Sequence, residues 1–139
     1  MEDQTFIFLL KTADVLSQQA EQLVKSHGLT GAQYNVLRIL RGAGPDGLAC
    51  SAIGERMISH DPDMTRLLDR MENRQLITRQ RQSSDRRVVK ARIAAEGLQL
   101  LKRLDQPIRD LHRRQFRHLS HERLRELGDL LKEIRERSK

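Results

Sequence analysis

Residues 59–93 read SHDPDMTRLLDRMENRQLITRQRQSSDRRVVKARI, and the succession of periods within them decides the fold. Asp61 and Pro62 form a helix start, an acidic capping residue followed by proline at the first helical position, where a missing N–H costs nothing. From there to about Arg74, Met64, Leu67, Leu68 and Met71 fall on one helical face, with Pro62, Arg66, Asp69 and Asn73 opposite. The period then changes to two. Leu76 to Gln82 and Arg87 to Ile93 read as strands joined by the polar segment Ser83-Ser84-Asp85-Arg86, the second alternating Val89, Ala91 and Ile93 against Val88, Lys90 and Arg92. Between Arg79 and Arg92 stand six cations and a single acid, Asp85. A hairpin this small cannot stand alone and must lean on the helices before it.

Upstream, residues 50–57 read as a short helix with Ile53 and Met57 four apart, its cap ambiguous because Ser51 is the only good capping residue nearby. Short helix, turn, polar-faced helix and basic hairpin make a winged helix-turn-helix over residues 48–97. The turn residues Gly42 to Gly47 set it off as a loop from a helix opened by the Thr30/Gln33 capping-box pattern, with Tyr34, Leu37 and Leu40 on its buried side. Before that, Phe6, Leu9, Leu10, Ala13, Leu16, Ala20, Leu23 and Val24 mark one face of a long helix that Gly28 stops. Beyond the hairpin, Leu98, Leu101, Leu104, Ile108, Leu111 and Phe116 keep helical spacing across Pro107, which suggests a kink in one long helix. Ser120 caps a last helix carrying Leu124, Leu127, Leu131 and Ile134. The fold expected is mainly α with a small β-hairpin wing, in one domain, residues 1–28 and 98–139 supplying helices for dimerisation.

Composition narrows the function. The chain has 139 residues and a formal charge of +7, with 26 Lys and Arg against 19 Asp and Glu. One cysteine excludes an internal disulfide, and the acidic start and the short longest apolar run, Phe6 to Leu10, point to a cytoplasmic protein without a membrane span. Aromatic residues are scarce, which argues against stacking on single strands and for duplex phosphates or an acidic partner. Neither a glycine-rich phosphate loop nor a nucleophile elbow is present, so catalysis has no support and no cofactor is implied.

The order of elements resembles the MarR (multiple antibiotic resistance regulator) family of winged-helix regulators. The resemblance runs from Leu29-Thr30 and Gln33-Tyr34-Asn35-Val36-Leu37, through Ile53-Gly54-Glu55-Arg56-Met57 and Pro62 to Glu72, to Leu76-Ile77-Thr78-Arg79, Asp85-Arg86-Arg87 and Gly97. It implies a homodimer interlocked by the first and last two helices, on a pseudo-palindromic operator of double-stranded DNA. It further implies a repressor released by a small-molecule effector, an oxidant or a metal. Two positions depart from the family pattern: Ala94 replaces a capping threonine, and Gln75 replaces a glycine before the first wing strand.

The candidate DNA-binding residues are Pro62, Asp63, Thr65, Arg66, Arg70, Asp85, Arg86 and Arg87. Arg66, in the first turns of the recognition helix, is placed to make a bidentate contact to guanine in the major groove. Thr65 and Arg70 suit phosphates, while Asp63 serves the helix dipole more readily than a cytosine. Arg86 and Arg87 lie at the hairpin tip, where a guanidinium can enter a narrow minor groove. The resemblance makes Arg87 the inserted arginine, with Asp85 orienting it. Against these stand plainer readings, a solvated helix face and an ordinary polar turn.

Cys50, near a helix start that could lower its pKa, is weighed as a redox sensor against the commoner small buried hydrophobe, and the second is favoured. His112, His118 and His121 lack clean same-face spacing, so no metal site is assigned. Effector contacts are left unassigned. The alternative from another class is a winged-helix module that binds an acidic protein and no DNA; a ligand carrier ranks last because it leaves the wing charges unexplained.

Overall fold

The computed structural model describes residues 1–139. Its first helix, α1 (Glu2–Lys25), stops where Gly28 takes φ +80°. That left-handed residue lets the Leu29 N–H reach back to the Val24 carbonyl at 3.0 Å, the closure glycine favours at a helix end. Both partners are buried. Thr30 then caps α2 (Gly31–Ala43) with the expected capping box: its hydroxyl accepts from the Gln33 N–H at 3.1 Å, and the Gln33 side chain accepts from the Thr30 N–H at 3.1 Å. Val36, Leu37 and Leu40 of α2 have no exposed surface, and the core gathers on them.

Next come β1 (Leu48–Ala49), α3 (Cys50–Arg56) and α4 (Met64–Asn73), then β2 (Ile77–Arg81) and β3 (Val89–Ile93). The strands form one antiparallel sheet in the order β1-β3-β2, with Leu48 opposite Ala91 and Ile77 opposite Ile93. The β2–β3 hairpin is the expected wing. β1 is an addition: two residues carry no readable period, and their pairing is made to a strand more than forty residues on. The strands are also shorter than expected, because Gln82 and Val88 close the hairpin through one N–H to carbonyl bond of 2.9 Å outside the ladder.

The start of α4 corrects the sequence reading. The helix begins at Met64, and its cap is Asp63, whose carboxylate accepts from the Arg66 N–H at 3.0 Å. Asp61 instead accepts from the Asp63 N–H at 2.8 Å, so Asp61-Pro62-Asp63 is a turn ahead of the helix. Two acids flank the proline, and either suits a cap; the one followed by the turn wins. At the other end, the N–H groups of Gln75 and Leu76 close back on the carbonyls of Glu72 and Met71 at 2.9 and 3.0 Å. Gln75 occupies the left-handed position at φ +63°, the place where the sequence lacks the family's glycine.

Two further helices complete the chain, α5 (Ala95–Phe116) and α6 (His121–Arg137). No side chain caps α5 at Ala94, whereas Ser120 caps α6 by accepting from the Arg123 N–H at 3.2 Å. α5 runs as one helix through Pro107. Its start is pressed onto the sheet at Gly97, where a Cβ would run into the Leu76 carbonyl, so only glycine permits that approach. Along α2 it is held by Leu101, Leu104 and Ile108 and by a two-pronged ion pair, Arg41 to Asp105, with both N···O distances 2.9 Å. The Arg41 guanidinium holds the Asp105 carboxyl below the usual carboxylate range.

Two expectations follow. Replacing Gln75 by glycine removes left-handed strain of about 1–2 kcal/mol, partly offset by the greater freedom of an unfolded glycine. Gln75→Gly should therefore raise the urea midpoint by the equivalent of about 0.5–1 kcal/mol, read from equilibrium denaturation. The Arg41–Asp105 contribution is fully present above the ordinary carboxylate pKa and is lost as pH falls through the lowered folded value. Asp105→Asn should cost about 1 kcal/mol at pH 7, and the gap between the two proteins should close on titration below pH ~3.9.

Candidate nucleic-acid interface

The candidate DNA-binding residues lie on α4, on the turn before it and on the β2–β3 hairpin. Leu67, Leu68 and Met71 anchor α4 in the core, which turns Thr65, Arg66, Asp69 and Arg70 outward. The Arg66 side chain is 69% exposed, with Nε 3.6 Å from the Asp63 carboxylate. Asp63 thus both caps the helix and steadies the arginine one turn on, the dipole-side role preferred from sequence. Arg70 and Pro62 are exposed and make no ion pair.

At the hairpin tip, Asp85 accepts from the Arg87 backbone N–H at 3.0 Å and from its guanidinium at 3.2 and 3.4 Å. These bonds hold the Asp85 carboxyl below its usual range. Arg87 is left 92% exposed beyond its anchor, a cation on a stem. The Arg86 carbonyl accepts from Arg81 at 2.7 Å, which ties the tip to the strand that leads into it. The structure packs α4 against the hairpin, and all eight sequence candidates lie on α4, in the turn before it or at the tip.

Arg79 was hidden in the count of six basic wing residues. Its guanidinium is bonded by Asp69 and by Glu72, the latter at 3.0 Å, and its backbone N–H also donates to Glu72 at 3.0 Å. With a side chain 21% exposed, it joins the wing to α4 instead of presenting a charge to solvent. Arg92 likewise turns back, its Nε 3.5 Å from the Asp46 carbonyl. The readable signal was the pair of acids three apart on α4, facing the first wing strand.

Cys50 does not match a lowered pKa. Burial pushes its thiol up, and a helix of seven residues beginning there does not reverse this. His112 bonds Gln115 at 3.1 Å, and the chain gathers no group of three His, Cys, Asp or Glu side chains that could hold a metal ion. A site the sequence left blank is a cavity of about 400 Å³ between α1, α2, α5 and the segment that leads into α4, lined by Ala20, Val24, Tyr34, Arg38, His60 and Ile108 among others. The Arg38 guanidinium lies 5.9 Å from the Tyr34 ring centre, and burial raises the Tyr34 hydroxyl's pKa.

Capped α4, its preceding short helix and an arginine-tipped hairpin define a winged helix-turn-helix. A model of the MarR family matches residues 29–89. A MarR transcription factor from Planctomyces limnophilus is 37% identical, with a TM-score of 0.74 over 95% of this chain and 96% of that one. AbsC, a MarR family transcriptional regulator from Streptomyces coelicolor, is 28% identical with a TM-score of 0.88 over 98% and 93% of the two chains. The homoprotocatechuate degradative operon repressor of Escherichia coli is 28% identical over 134 residues, 96% of this chain and 89% of that protein. The chain belongs to the MarR family.

Removing the Arg79 clamp leaves Asp69 and Glu72 facing the hairpin without a partner. Arg79→Ala should lower stability by about 1–3 kcal/mol, since a partly buried charge pair is broken from one side. Hydrogen exchange should quicken across β2 and β3 while α1 and α6 exchange as before.

Proposed function

We propose that the protein is a homodimeric, sequence-specific DNA-binding regulator of transcription, a repressor of a pseudo-palindromic operator released by a small-molecule effector. The observation that carries this reading is the pairing, on one clamped unit, of an exposed arginine at the capped start of α4 with an exposed arginine at the wing tip. α4 enters the major groove, where Arg66 reads guanine through a bidentate contact worth about 1–3 kcal/mol. Thr65 and Arg70 bind flanking phosphates, and the turn Asp61-Pro62-Asp63 sets the depth of the helix start. The wing lays Arg87 into the adjacent minor groove, with Asp85 holding its aim and Arg86 beside it on the backbone.

The terminal helices supply the second copy. Phe6, Phe8 and Leu10 on α1 and Leu130, Leu131 and Ile134 on α6 are 42–62% exposed, and α6 buries no residue within its own chain. Residues 1–28 and 98–139 thus expose large apolar side chains that pairing with a second copy would bury. Pairing them across a two-fold axis places two recognition helices about 34 Å apart, one turn of DNA. α2, outside both of those segments and outside residues 48–97, is the element on which the two parts meet.

The cavity gives release a route. Its wall includes residues 57–61, joined to α2 where the Ile58 N–H donates to the Asn35 side chain at 2.8 Å. A ligand that binds better when this segment is displaced moves the start of α4, and so the spacing of the two recognition helices, by its differential affinity alone. Such a regulator works in the cytoplasm, beside the chromosome.

Selection from genomic duplex fragments, followed by titration between 50 and 200 mM salt, tests the reading. A palindrome should be enriched, with affinity falling about 10³–10⁵ over that range as 6–10 phosphate contacts require. Arg66→Ala should relax base preference by about 1–3 kcal/mol, and Arg87→Ala should weaken all sequences with little change in preference. No enriched sequence, and weak binding indifferent to both substitutions, would exclude it and favour a protein-binding winged helix.

A further inference from the structure

A second concentration of positive charge lies away from α4 and the wing, on α5. From residue 102 to residue 117 stand Lys102, Arg103, Arg109, Arg113, Arg114 and Arg117, against Asp105 and Asp110. Asp105 is turned inward to Arg41. At 3.6 residues per turn the six cations fall within about 140° of arc, opposite Leu101, Leu104, Ile108 and Leu111, which are buried. All six are exposed, and the nearest ion pair is a loose one, Arg113 to Asp110 at 3.9 Å. They form one stripe, about 22 Å long at 1.5 Å per residue.

We infer that this outer face of α5 binds the phosphate backbone of a second DNA duplex, so that one dimer bridges two segments. The inference goes beyond the operator reading and rests on it for the first duplex. α2 packs against both α4 and α5, which share no extensive contact with each other, so the stripe and Arg66 stand on separate elements either side of α2 in the packing. In this arrangement a duplex seated on Arg66 leaves the stripe free.

The chemistry favours phosphate over other partners. Five of the six cations are arginine, whose planar fork matches phosphate oxygens in pairs. No large apolar side chain is exposed along the stripe to anchor an acidic peptide, and without tryptophan or tyrosine it offers little stacking surface for single strands. Nor does the partner protomer neutralise it. Glu122, Glu126, Asp129, Glu133 and Glu136 share one face of α6, opposite the stripe of Leu124, Leu127, Leu131 and Ile134. The apolar face that pairs with another copy therefore leaves those acids turned outward. Covering these six cations in the dimer contact, where only Arg113 has an ion pair, would desolvate each without a compensating acid.

The test saturates full-length dimer with immobilised operator duplex and then adds a labelled duplex of unrelated sequence. Wild type should capture the second duplex in the micromolar range at 50 mM salt, with a log–log salt slope near −5 for six cations. Arg109→Gln/Arg113→Gln/Arg117→Gln should lose at least tenfold in capture while operator affinity stays within twofold and circular dichroism is unchanged. The matching triple lysine variant should retain capture within about fivefold. No capture by wild type on a saturated operator complex would overturn the inference while leaving the operator reading standing. Equal capture by the glutamine variant would overturn it, and so would equal loss in the lysine variant, which would trace the effect to helix packing. Failure of the first, operator-binding step is read separately, and it falls on the regulator reading.

Discussion

The recognition unit, the end of α1 and α5 are all placed by the burial of one helix. Val36, Leu37 and Leu40 of α2 are wholly excluded from water, and fully burying three such side chains stabilises the fold by about 1.5–3 kcal/mol each. Their neighbours come from nearly every other element: Val24 from α1, Ile53 from α3, Leu68 and Met71 from α4, Ala91 from β3, Leu101 and Leu104 from α5. With so many surfaces converging on one rod, α2 ties the recognition unit to the end of α1 and to α5. Any signal between them passes through α2 or through the segments that lean on it.

Polar contacts then fix angles that apolar burial leaves loose. Arg79 sets the wing against α4, Arg41 and Asp105 set α5 along α2, and Arg74 at the end of α4 donates to the Gly28 carbonyl at 2.8 Å. The last two join elements distant in sequence, while Arg79 bridges the consecutive elements α4 and β2. Hydrogen bonds of this kind are directional, with geometry narrow enough to hold a helix in one orientation. The tip of the wing has only local restraint: Asp85 and Arg87 are two residues apart, and Arg87 remains in solvent. A locally steadied guanidinium on a firmly clamped hairpin can adapt to a groove without moving the recognition helix.

The same chain leaves its two ends unfinished. α6 has a leucine stripe and no buried residue, and the first half of α1 exposes Phe6, Ile7, Phe8 and Leu10. These apolar faces, the cationic outer face of α5 and the acidic face of α6 are sorted into separate surfaces. Such sorting keeps the apolar contact free of unpaired charge and leaves each polar face to water or to a partner of opposite sign.

Much of this was legible in local sequence. Helix faces, the Thr30/Gln33 capping box, the Ser120 cap, the stop at Gly28 and the strand period after Leu76 depend on neighbours within four residues, and each appears in the structure. The resemblance to the MarR family put the recognition helix and the wing in order. Local pattern could not choose between Asp61 and Asp63 as the cap, because both suit it and the turn around Pro62 decides. Nor could it see β1, whose two residues acquire meaning only opposite Ala91 and Lys90. Arg79 looked like its five basic neighbours until folding brought Asp69 and Glu72 to it, and the cavity beside Tyr34 exists only where four separated segments meet. Sequence by itself determined the elements and their buried faces, since periodicity and capping act over one or two helical turns. Tertiary structure decided which charges are clamps, which are free and where a ligand can sit, since those depend on distances between residues far apart in the chain.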